Sequence, residues 1–270
     1  MTRLPANEYR VIAHNTAKES ENKIHDDAVA QRFGFGGGLV PGVDVYAYMT
    51  HPAVQKWGLA WLAQGTGACR FLRPVYDGEE ALVTGTRSAE DASLLNIAVE
   101  SRGELCATGW AALDEEVAVA PAVNDIPAAA LPVDRPSATP QSLRPGLVLG
   151  TYQTVFDAAG APGYLGDVRE DLALYREEGV AHPGYLLRMA NWALTHNVAL
   201  GPWIHVASQI SHFGLVHYGD RLAARAQVLD NYERSGHRFV ELDVLVLAND
   251  SQVVARYRHT AIYEPRQSRA

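Results

Sequence analysis

The residues best suited to chemistry lie in one polar, glycine-rich stretch, residues 20–42, which reads SENKIHDDAVAQRFGFGGGLVPG. It contains a histidine, His25, three residues after the amide side chain of Asn22. An imidazole has an unperturbed pKa of about 6.5 and exchanges protons near neutral pH; the competing interpretation is a surface or capping histidine. Asn22 donates and accepts hydrogen bonds through its amide, or else forms an Asx turn or caps a short helix. Acid–base chemistry at His25, with an amide close by, is therefore a candidate beside a purely structural role.

The same stretch ends in a Pro-Gly pair, Pro41 and Gly42, that predicts the start of a long helix, because proline fits the first helical turn. The N–H groups of that turn have no intrahelical acceptor and carry the positive end of the helix dipole. The Gly42 N–H is therefore a candidate donor to an oxyanion, and the alternative is a helix start without a ligand. The GFGGG run, residues 34–38, lacks the spacing of a phosphate-binding loop. We interpret it as a loop that gives a substrate access, with Phe35 packed inward.

The elements that must position these groups occur twice along the chain. When the sequence is shifted by 142 residues, Pro41 and Gly42 fall on Pro183 and Gly184. The same shift matches three aromatic pairs, which are Trp61 with Trp203, Phe71 with Phe213 and Tyr76 with Tyr218. Five matches among less common residue types at one shift indicate a two-fold internal repeat.

Each half predicts a first strand, an irregular segment, a long helix that begins at the Pro-Gly pair, and three or four alternating strands. Tight turns such as YDGE, SRGE and ANDS favour antiparallel pairing, and the whole pattern indicates an α+β protein. The strand that follows the first long helix is predicted over residues 60–75. Six of the fourteen prolines fall between the halves. The predicted domains are therefore residues 1–115 and 147–270, joined by an extended Pro/Ala-rich linker over residues 116–146.

Composition narrows the class of function and the cellular location. The formal net charge of −8 argues against a nucleic-acid partner, because such a partner needs a basic face. We expect no membrane partner, since the sequence shows no apolar run of spanning length and no secretory leader. The two cysteines, Cys69 and Cys106, have no metal-binding spacing and suit buried thiols in a reducing compartment. We therefore expect a cytoplasmic protein without a metal site.

Three segments together resemble the MaoC-like dehydratases and R-specific enoyl-CoA hydratases. The family's catalytic run D-x-N-P-x-H is matched in part by residues 20–25, and the turn that opens its helix is matched by residues 34–42. Its strand F-x-x-P-V-x-x-G-D is matched by residues 71–79, FLRPVYDGE. The resemblance implies a tandem, or double, hotdog fold, with a curved antiparallel sheet wrapped around one long helix in each half. Ser20 stands where the family has its catalytic aspartate, and Lys23 replaces the proline.

The resemblance also implies the reaction, which is reversible addition of water at the 2,3-position of an enoyl thioester. In that reaction His25 is the acid/base, Asn22 holds the attacking water and the Gly42 N–H stabilises the enolate oxygen. The expected substrate-binding residues are Gly38, Phe35 and Arg73. No cofactor is implied beyond the coenzyme A or carrier-protein arm of the substrate itself. Because the tandem halves already form a hotdog pair, a monomer and a homodimer are both expected possibilities.

The replacement of the aspartate by Ser20 leaves three possibilities. His25 acts alone while Ser20 positions water, or a neighbouring carboxylate substitutes, or the site only binds or hydrolyses thioesters. The neighbouring carboxylates are Glu21, Asp26 and Asp27. The rival functions are therefore a thioesterase on the same fold and a non-catalytic acyl-thioester-binding protein. In the second half the 142-residue shift puts Tyr164 at the asparagine position and Asp167 at the histidine position, so that half is predicted to lack the acid–base pair.

Overall fold

The computed structural model describes residues 7–116 and 118–266. Within them the strands are β1 (Asn7–Ile12), β2 (Thr66–Phe71), β3 (Glu80–Arg87), β4 (Leu94–Ser101), β5 (Glu104–Ala112), β6 (Tyr152–Val155), β7 (Ile204–His212), β8 (Arg221–Arg234), β9 (His237–Ala248) and β10 (Gln252–Glu264). The helices are α1 (Asp27–Arg32), α2 (Gly42–Trp57), α3 (Leu59–Gln64), α4 (Ala161–Asp167), α5 (Leu174–Glu177) and α6 (Pro183–Thr195), and a 3-10 turn covers Lys23–His25. None of the described helices is long and apolar enough to cross a membrane. Each half contributes five strands and one long helix, in agreement with the repeat.

The ten strands of the described chain join one antiparallel sheet in the order β1-β3-β4-β5-β2-β7-β10-β9-β8-β6. Both halves have the same internal order, and they meet where β2 pairs with β7, with Thr66 opposite Ser211 and Arg70 opposite Ala207. Helix α2 packs on strands of the first half, α6 packs on strands of the second half, and the two helices contact each other. The predicted α+β tandem architecture, with one long helix per half, is confirmed.

The first long helix, α2, is enclosed by the core. Residues 43–54 are all buried, which is the pattern of a helix surrounded by protein rather than lying on its surface. The helix begins after Pro41, whose fixed φ suits a helix start. It ends at Gly58, where a φ of 57° favours glycine. These two ends fix the place of Gly42 and of the first-turn N–H groups.

A buried ion pair connects α2 with α6. Asp44, in the first turn of α2, is fully buried, and its Oδ1 accepts a hydrogen bond from Arg188 Nη2 at 2.6 Å. Its Oδ2 accepts from the hydroxyl of Thr16, also at 2.6 Å. Buried charges are tolerated when they are paired and hydrogen-bonded. This pair therefore holds the two central helices, and with them the two halves, in a fixed relation.

The segment that follows α2 differs from the sequence prediction. The strand predicted over residues 60–75 is wrong at its start, because Leu59–Gln64 is helix α3 and β2 begins only at Thr66. The sequence LAWLAQ consists largely of good helix formers, and Gly58 lets the chain turn directly from α2 into α3. Trp61 of α3 is buried. The prediction failed because a short apolar run does not distinguish a buried strand from a buried helix.

The predicted linker lies against the second half. Its residues 118–146 form neither a helix nor a multi-residue strand, as their proline content favours. The N–H of Ala138 donates to the carbonyl of Ala199 at 2.9 Å. Ile126 and Leu143 are buried. The segment therefore covers apolar surface as well as connecting the halves.

We expect the protein to lose stability in mild acid through His212, which ends β7. Both ring nitrogens of His212 are buried without a hydrogen-bond partner, and burial lowers the pKa of this imidazole to about 4. Below pH 6.5 the unfolded chain binds a proton at His212, whereas the folded chain does so only near pH 4. The free energy of unfolding therefore decreases as pH falls from 6.5 towards 4. Between pH 7 and pH 5, the free energy of unfolding of His212→Leu should therefore decrease by about 2 kcal/mol less than that of the parent.

Urea unfolding at the two pH values measures this difference. The exposed His217 provides the control, because His217→Leu should leave the acid sensitivity of the parent unchanged. Equal acid sensitivity in the parent and in His212→Leu would show that His212 is not the cause.

Candidate active site

His25 ends the 3-10 turn, and its hydrogen bonds define its proton state. Its Nδ1 lies 2.6 Å from the carbonyl oxygen of Leu39, and its Nε2 lies 3.2 Å from Asn22 Nδ2. A carbonyl only accepts and an amide nitrogen only donates. Nδ1 therefore carries the proton and donates to Leu39, while Nε2 keeps its lone pair. The imidazole is held neutral with its basic nitrogen next to Asn22.

The amide of Asn22 is fixed by the main chain of the second half. Its Nδ2 donates to the carbonyl of Trp203 at 3.0 Å, and its Oδ1 accepts from the N–H of Trp203 at 3.1 Å. Oδ1 also accepts from the N–H of Ile24 at 3.4 Å, so Asn22 caps the 3-10 turn as well. With its contact to His25, every hydrogen-bonding group of this amide is in use. Asn22 orients His25 and has no free group for a water in this arrangement.

The surroundings of His25 favour the neutral imidazole. Burial lowers the pKa of His25 below its ordinary value, because a charged imidazolium loses hydration. The carbonyl of Leu39 and the carboxylate of Asp44 act in the opposite direction and reduce this shift. Near neutral pH the Nε2 atom is therefore a free base.

His25 lies in a wall that two cavities share, which we call their junction. The apolar cavity, of about 260 Å³, is walled largely by aliphatic and aromatic side chains, among them Leu39, Val45, Phe71, Val206 and Ile262. The second cavity, of about 380 Å³, has more polar groups in its wall, among them Thr16, Arg135, Arg188, Thr195 and His196, and we call it the polar cavity. The residues that line both cavities are Asn22, His25, Pro41, Asn191 and Trp203. His25 therefore borders both cavities.

Gly42, at the start of α2, lies in the wall of the apolar cavity. Helix α2 has no side-chain cap, and within the described chain the Gly42 N–H donates to no backbone carbonyl. A Cβ at this position would lie 3.0 Å from Nδ1 of His205 and 3.1 Å from a ring carbon of Phe71. A side chain here would crowd both rings. The Gly42 N–H, which is unpaired and positively polarised, therefore lies in the wall of the same cavity as His25, with no side chain beside it.

Two of the predicted residues lie near His25 without facing the apolar cavity. The hydroxyl of Ser20 donates to the carbonyl of Asn22 at 3.4 Å, and Ser20 lines the polar cavity. Gly38 lines neither cavity; its N–H donates to Asp27 at 2.7 Å. The absence of a side chain at Gly38 leaves room for the carbonyl of His25, which occupies the space that a Cβ of Gly38 would need.

The other predicted residues lie at or near the cavities. Phe35 and Arg73 both line the apolar cavity, and Arg73 also pairs with Glu104. The carboxylates that were candidates to replace the missing aspartate have other partners. Glu21 pairs with Arg135 at 3.0 Å, and Asp26 caps α1 through the N–H of Val29 at 3.0 Å. Together with Asp27, which accepts from Gly38, these carboxylates make no hydrogen bond to His25 among the described contacts.

We expect Gly38→Ala to destabilise the protein, because its methyl group would collide with the carbonyl of His25. The loss should be about 1–3 kcal/mol in the free energy of unfolding, as for other overpacked sites. Urea unfolding measures it. Gly36→Ala, in the same loop, is the control, since the methyl group there would meet only the Tyr76 ring at 3.4 Å and beyond. If both variants lose the same stability, the tight contact at Gly38 is not the cause.

The corresponding place in the second half is closed. Nδ1 of His182 accepts from the N–H of Gly184 at 3.0 Å, so the start of α6 is capped by a side chain. The ring of His182 is held in turn by Glu170, whose Oε2 lies 3.3 Å from Nε2. The hydroxyl of Tyr164 occupies the space that a Cβ of Gly184 would need. This half therefore offers no free first-turn N–H comparable to that of Gly42.

Three residues of the second half that the sequence analysis did not assign to the site take part in it. Trp203 fixes Asn22 through its main chain, which leaves no side-chain signal. His205 packs on Gly42 and is held through Nε2 by the hydroxyl of Ser208 at 2.9 Å. Asn191 lies on α6 between Arg188 and Thr195, and that polar face of the helix is the signal that could have identified it.

No protein-family profile matches the sequence, and no curated protein matches it. Solved structures do match. A Chloroflexus aurantiacus protein named for a MaoC domain dehydratase has a TM-score of 0.66 at 12% identity, covering 98% of this chain and 96% of its own. A Mycobacterium tuberculosis protein described as having a double hotdog fold has a TM-score of 0.66 at 16% identity, covering 97% and 96%. A Thermobifida fusca protein named as a thioesterase II has a TM-score of 0.51 at 16% identity, covering 96% and 93%.

These likenesses identify the chain as a double hotdog protein, which confirms the predicted fold. Its structural neighbours include MaoC-like dehydratases, as the sequence resemblance implies. A thioesterase shares the fold as well. The fold therefore defines the class of protein but not its reaction.

Proposed function

We propose that this chain is a hydratase or dehydratase that adds water to, or removes it from, the 2,3-position of an acyl thioester. The observation that carries the proposal is the state of His25, a neutral imidazole with a basic Nε2 at the junction of an apolar and a polar cavity. The Gly42 N–H lies in the wall of the same apolar cavity. A base, an oxyanion donor and an apolar cavity for the acyl chain are what this reaction needs.

The two cavities suit the two ends of such a substrate. The apolar cavity takes the acyl chain, because side chains in its wall such as Phe71 and Ile262 have no polar groups. The polar cavity takes the pantetheine arm of coenzyme A or of a carrier protein, whose amides find partners such as Thr195 and His196. In this placement the thioester and its 2,3-bond lie at the junction, beside His25.

In the hydration direction, the water oxygen bonds to the β-carbon while one water proton passes to Nε2 of His25. The π electrons of the double bond move towards the thioester, and the Gly42 N–H stabilises the resulting enolate oxygen by about 3 kcal/mol. The α-carbon then takes the proton from Nε2, which returns the imidazole to its neutral state. The amide N–H of Asn22 opposes a proton on Nε2 and so favours this return. One imidazole serves as base and then as acid, without the aspartate that Ser20 replaces.

The proposal is tested with crotonyl-CoA, by following the loss of enoyl absorbance and the release of free thiol in the same sample. Loss of absorbance without thiol release is expected. Thiol release without hydration would identify a thioesterase and overturn the proposal. Thermal stabilisation by crotonyl-CoA with no turnover would do the same in favour of a non-catalytic binding protein.

The pH dependence of hydration provides a further prediction. Because burial lowers the pKa of His25, the base form should persist below pH 6.5. Activity should therefore fall only as pH decreases through this lowered pKa, and kcat/KM for crotonyl-CoA should show an acid limb with an apparent pKa below 6.5. An acid limb above pH 6.5 would contradict the assignment of this buried imidazole as the base.

A further inference from the structure

The structure leaves one part of the proposed reaction without a residue. The water must be held in line with the β-carbon while His25 takes its proton, and Asn22 was expected to do so. Oδ1 of Asn22 already accepts from the N–H groups of Trp203 and Ile24, and its Nδ2 only donates. Ser20 donates to a backbone carbonyl and makes no contact with His25. An acceptor for the second O–H of the water must therefore come from elsewhere.

Asn191 of the second half lies where such a group is needed. It is one of the five residues that line both cavities, as His25 also does. With Arg188 and Thr195 it lies on one face of α6, at the three- and four-residue spacing that places side chains together on a helix. Asn191 thus borders the junction from the second half, whereas His25 belongs to the first.

The amide of Asn191 has an unused acceptor. Its Oδ1 is buried and has no hydrogen-bond partner. Leaving a buried polar atom unpaired costs about 1–3 kcal/mol, and in native proteins such atoms are rare and often belong to functional sites or bind a water. This acceptor is therefore available to a small polar ligand at the junction.

Helix α6 holds Asn191 in a defined position relative to α2. Arg188, one turn before Asn191, binds the buried carboxylate of Asp44. Asp44 lies in the first helical turn of α2, next to Gly42. The ion pair therefore sets the distance between the candidate oxyanion donor and the amide on α6, as a preorganised site requires.

We propose that Asn191 is a catalytic residue that holds the reacting water at the junction of the two cavities, so that the active site combines residues of both halves. The inference rests on the proposed hydratase function and deepens it. Oδ1 of Asn191 accepts one O–H of the water, and Nε2 of His25 accepts the other and takes that proton. The water takes the place of the 3.2 Å contact between Nε2 and Asn22, and the freed N–H of Asn22 donates to the water oxygen. The oxygen lone pair then faces the β-carbon, the C–O bond forms, and the proton on Nε2 goes to the α-carbon.

The test compares kinetics of the full-length chain and its variants with crotonyl-CoA. Asn191→Leu keeps the volume of the side chain and removes its hydrogen bonds; it should lower kcat about 100-fold and change KM little. Asn96→Ala, an exposed asparagine on β4, is the control and should behave as the parent. Asn191→Asp should move the acid limb of the pH profile upward by about one unit or more, because a carboxylate facing His25 favours the imidazolium.

The outcomes separate this inference from the proposed function. If the parent hydrates crotonyl-CoA and Asn191→Leu retains its kcat, the role of Asn191 is overturned while the proposed function stands. If Asn191→Leu fails to fold, Asn191→Asp decides, since an unmoved acid limb would place residue 191 away from His25 and overturn the inference. If the parent shows no hydration, the proposed function fails and the inference fails with it.

Discussion

Replacement of His25 by alanine is expected to lower kcat for hydration of crotonyl-CoA about 1,000-fold, which makes it the most damaging single change to catalysis. Acid–base groups contribute about 10²- to 10⁴-fold, and here one imidazole performs both the deprotonation of water and the protonation of the α-carbon. The described hydrogen bonds bring no carboxylate to His25, so no neighbour can replace it. Binding of a saturated acyl-CoA should persist in His25→Ala, because the apolar cavity remains.

The control for this variant is His217→Ala. His217 is exposed and lines neither cavity, so its removal should leave kcat unchanged. Loss of kcat in His25→Ala together with an unchanged melting temperature and retained binding of butyryl-CoA would assign the defect to chemistry. A kcat within tenfold of the parent would show that another group transfers the proton.

Replacement of Arg188 by methionine is expected to have the largest effect on stability, about 3–5 kcal/mol in the free energy of unfolding. The carboxylate of Asp44 is fully buried, and the guanidinium of Arg188 is its cationic partner at 2.6 Å. Without Arg188, the carboxylate must either remain charged with only the Thr16 hydroxyl or take up a proton. Urea unfolding of the parent and Arg188→Met measures the loss.

Two further variants test the cause. Arg10→Met breaks a pair of similar length, 2.7 Å to Glu80, in which both side chains are more than half exposed; it should cost much less stability than Arg188→Met, because water screens exposed pairs. The double variant Asp44→Leu with Arg188→Met removes both charges and should recover most of the lost stability. Equal losses of stability in Arg10→Met and Arg188→Met would show that burial of the ion pair is not the cause of the large effect.

The tandem fold was predictable because its markers are local. A Pro-Gly pair begins each long helix, and tight turns connect successive strands of each half. The shift of 142 residues places β1–β4 on β6–β9, so the strands predicted in one half support those predicted in the other. The error at Leu59–Gln64 came from the same local reasoning, since a six-residue apolar run fits a strand as well as a helix.

The candidate site was predictable only in part. His25 and Gly42 belong to segments whose residue types carry their own signal. The contact between Asn22 and Trp203 joins residues 181 positions apart through a main chain, so no spacing in the sequence reveals it. Asn191 matches Met49 under the internal repeat, and its importance depends on a cavity that exists only after both halves have packed.

The pairing between β2 and β7 limits where the polypeptide can be shortened. A shortened polypeptide ending near residue 116 would bare the β2 edge that now pairs with β7, and bare edges invite aggregation. The same truncation would also remove Trp203, the anchor that steadies the imidazole through Asn22. The second half is thus required to position the candidate site of the first half.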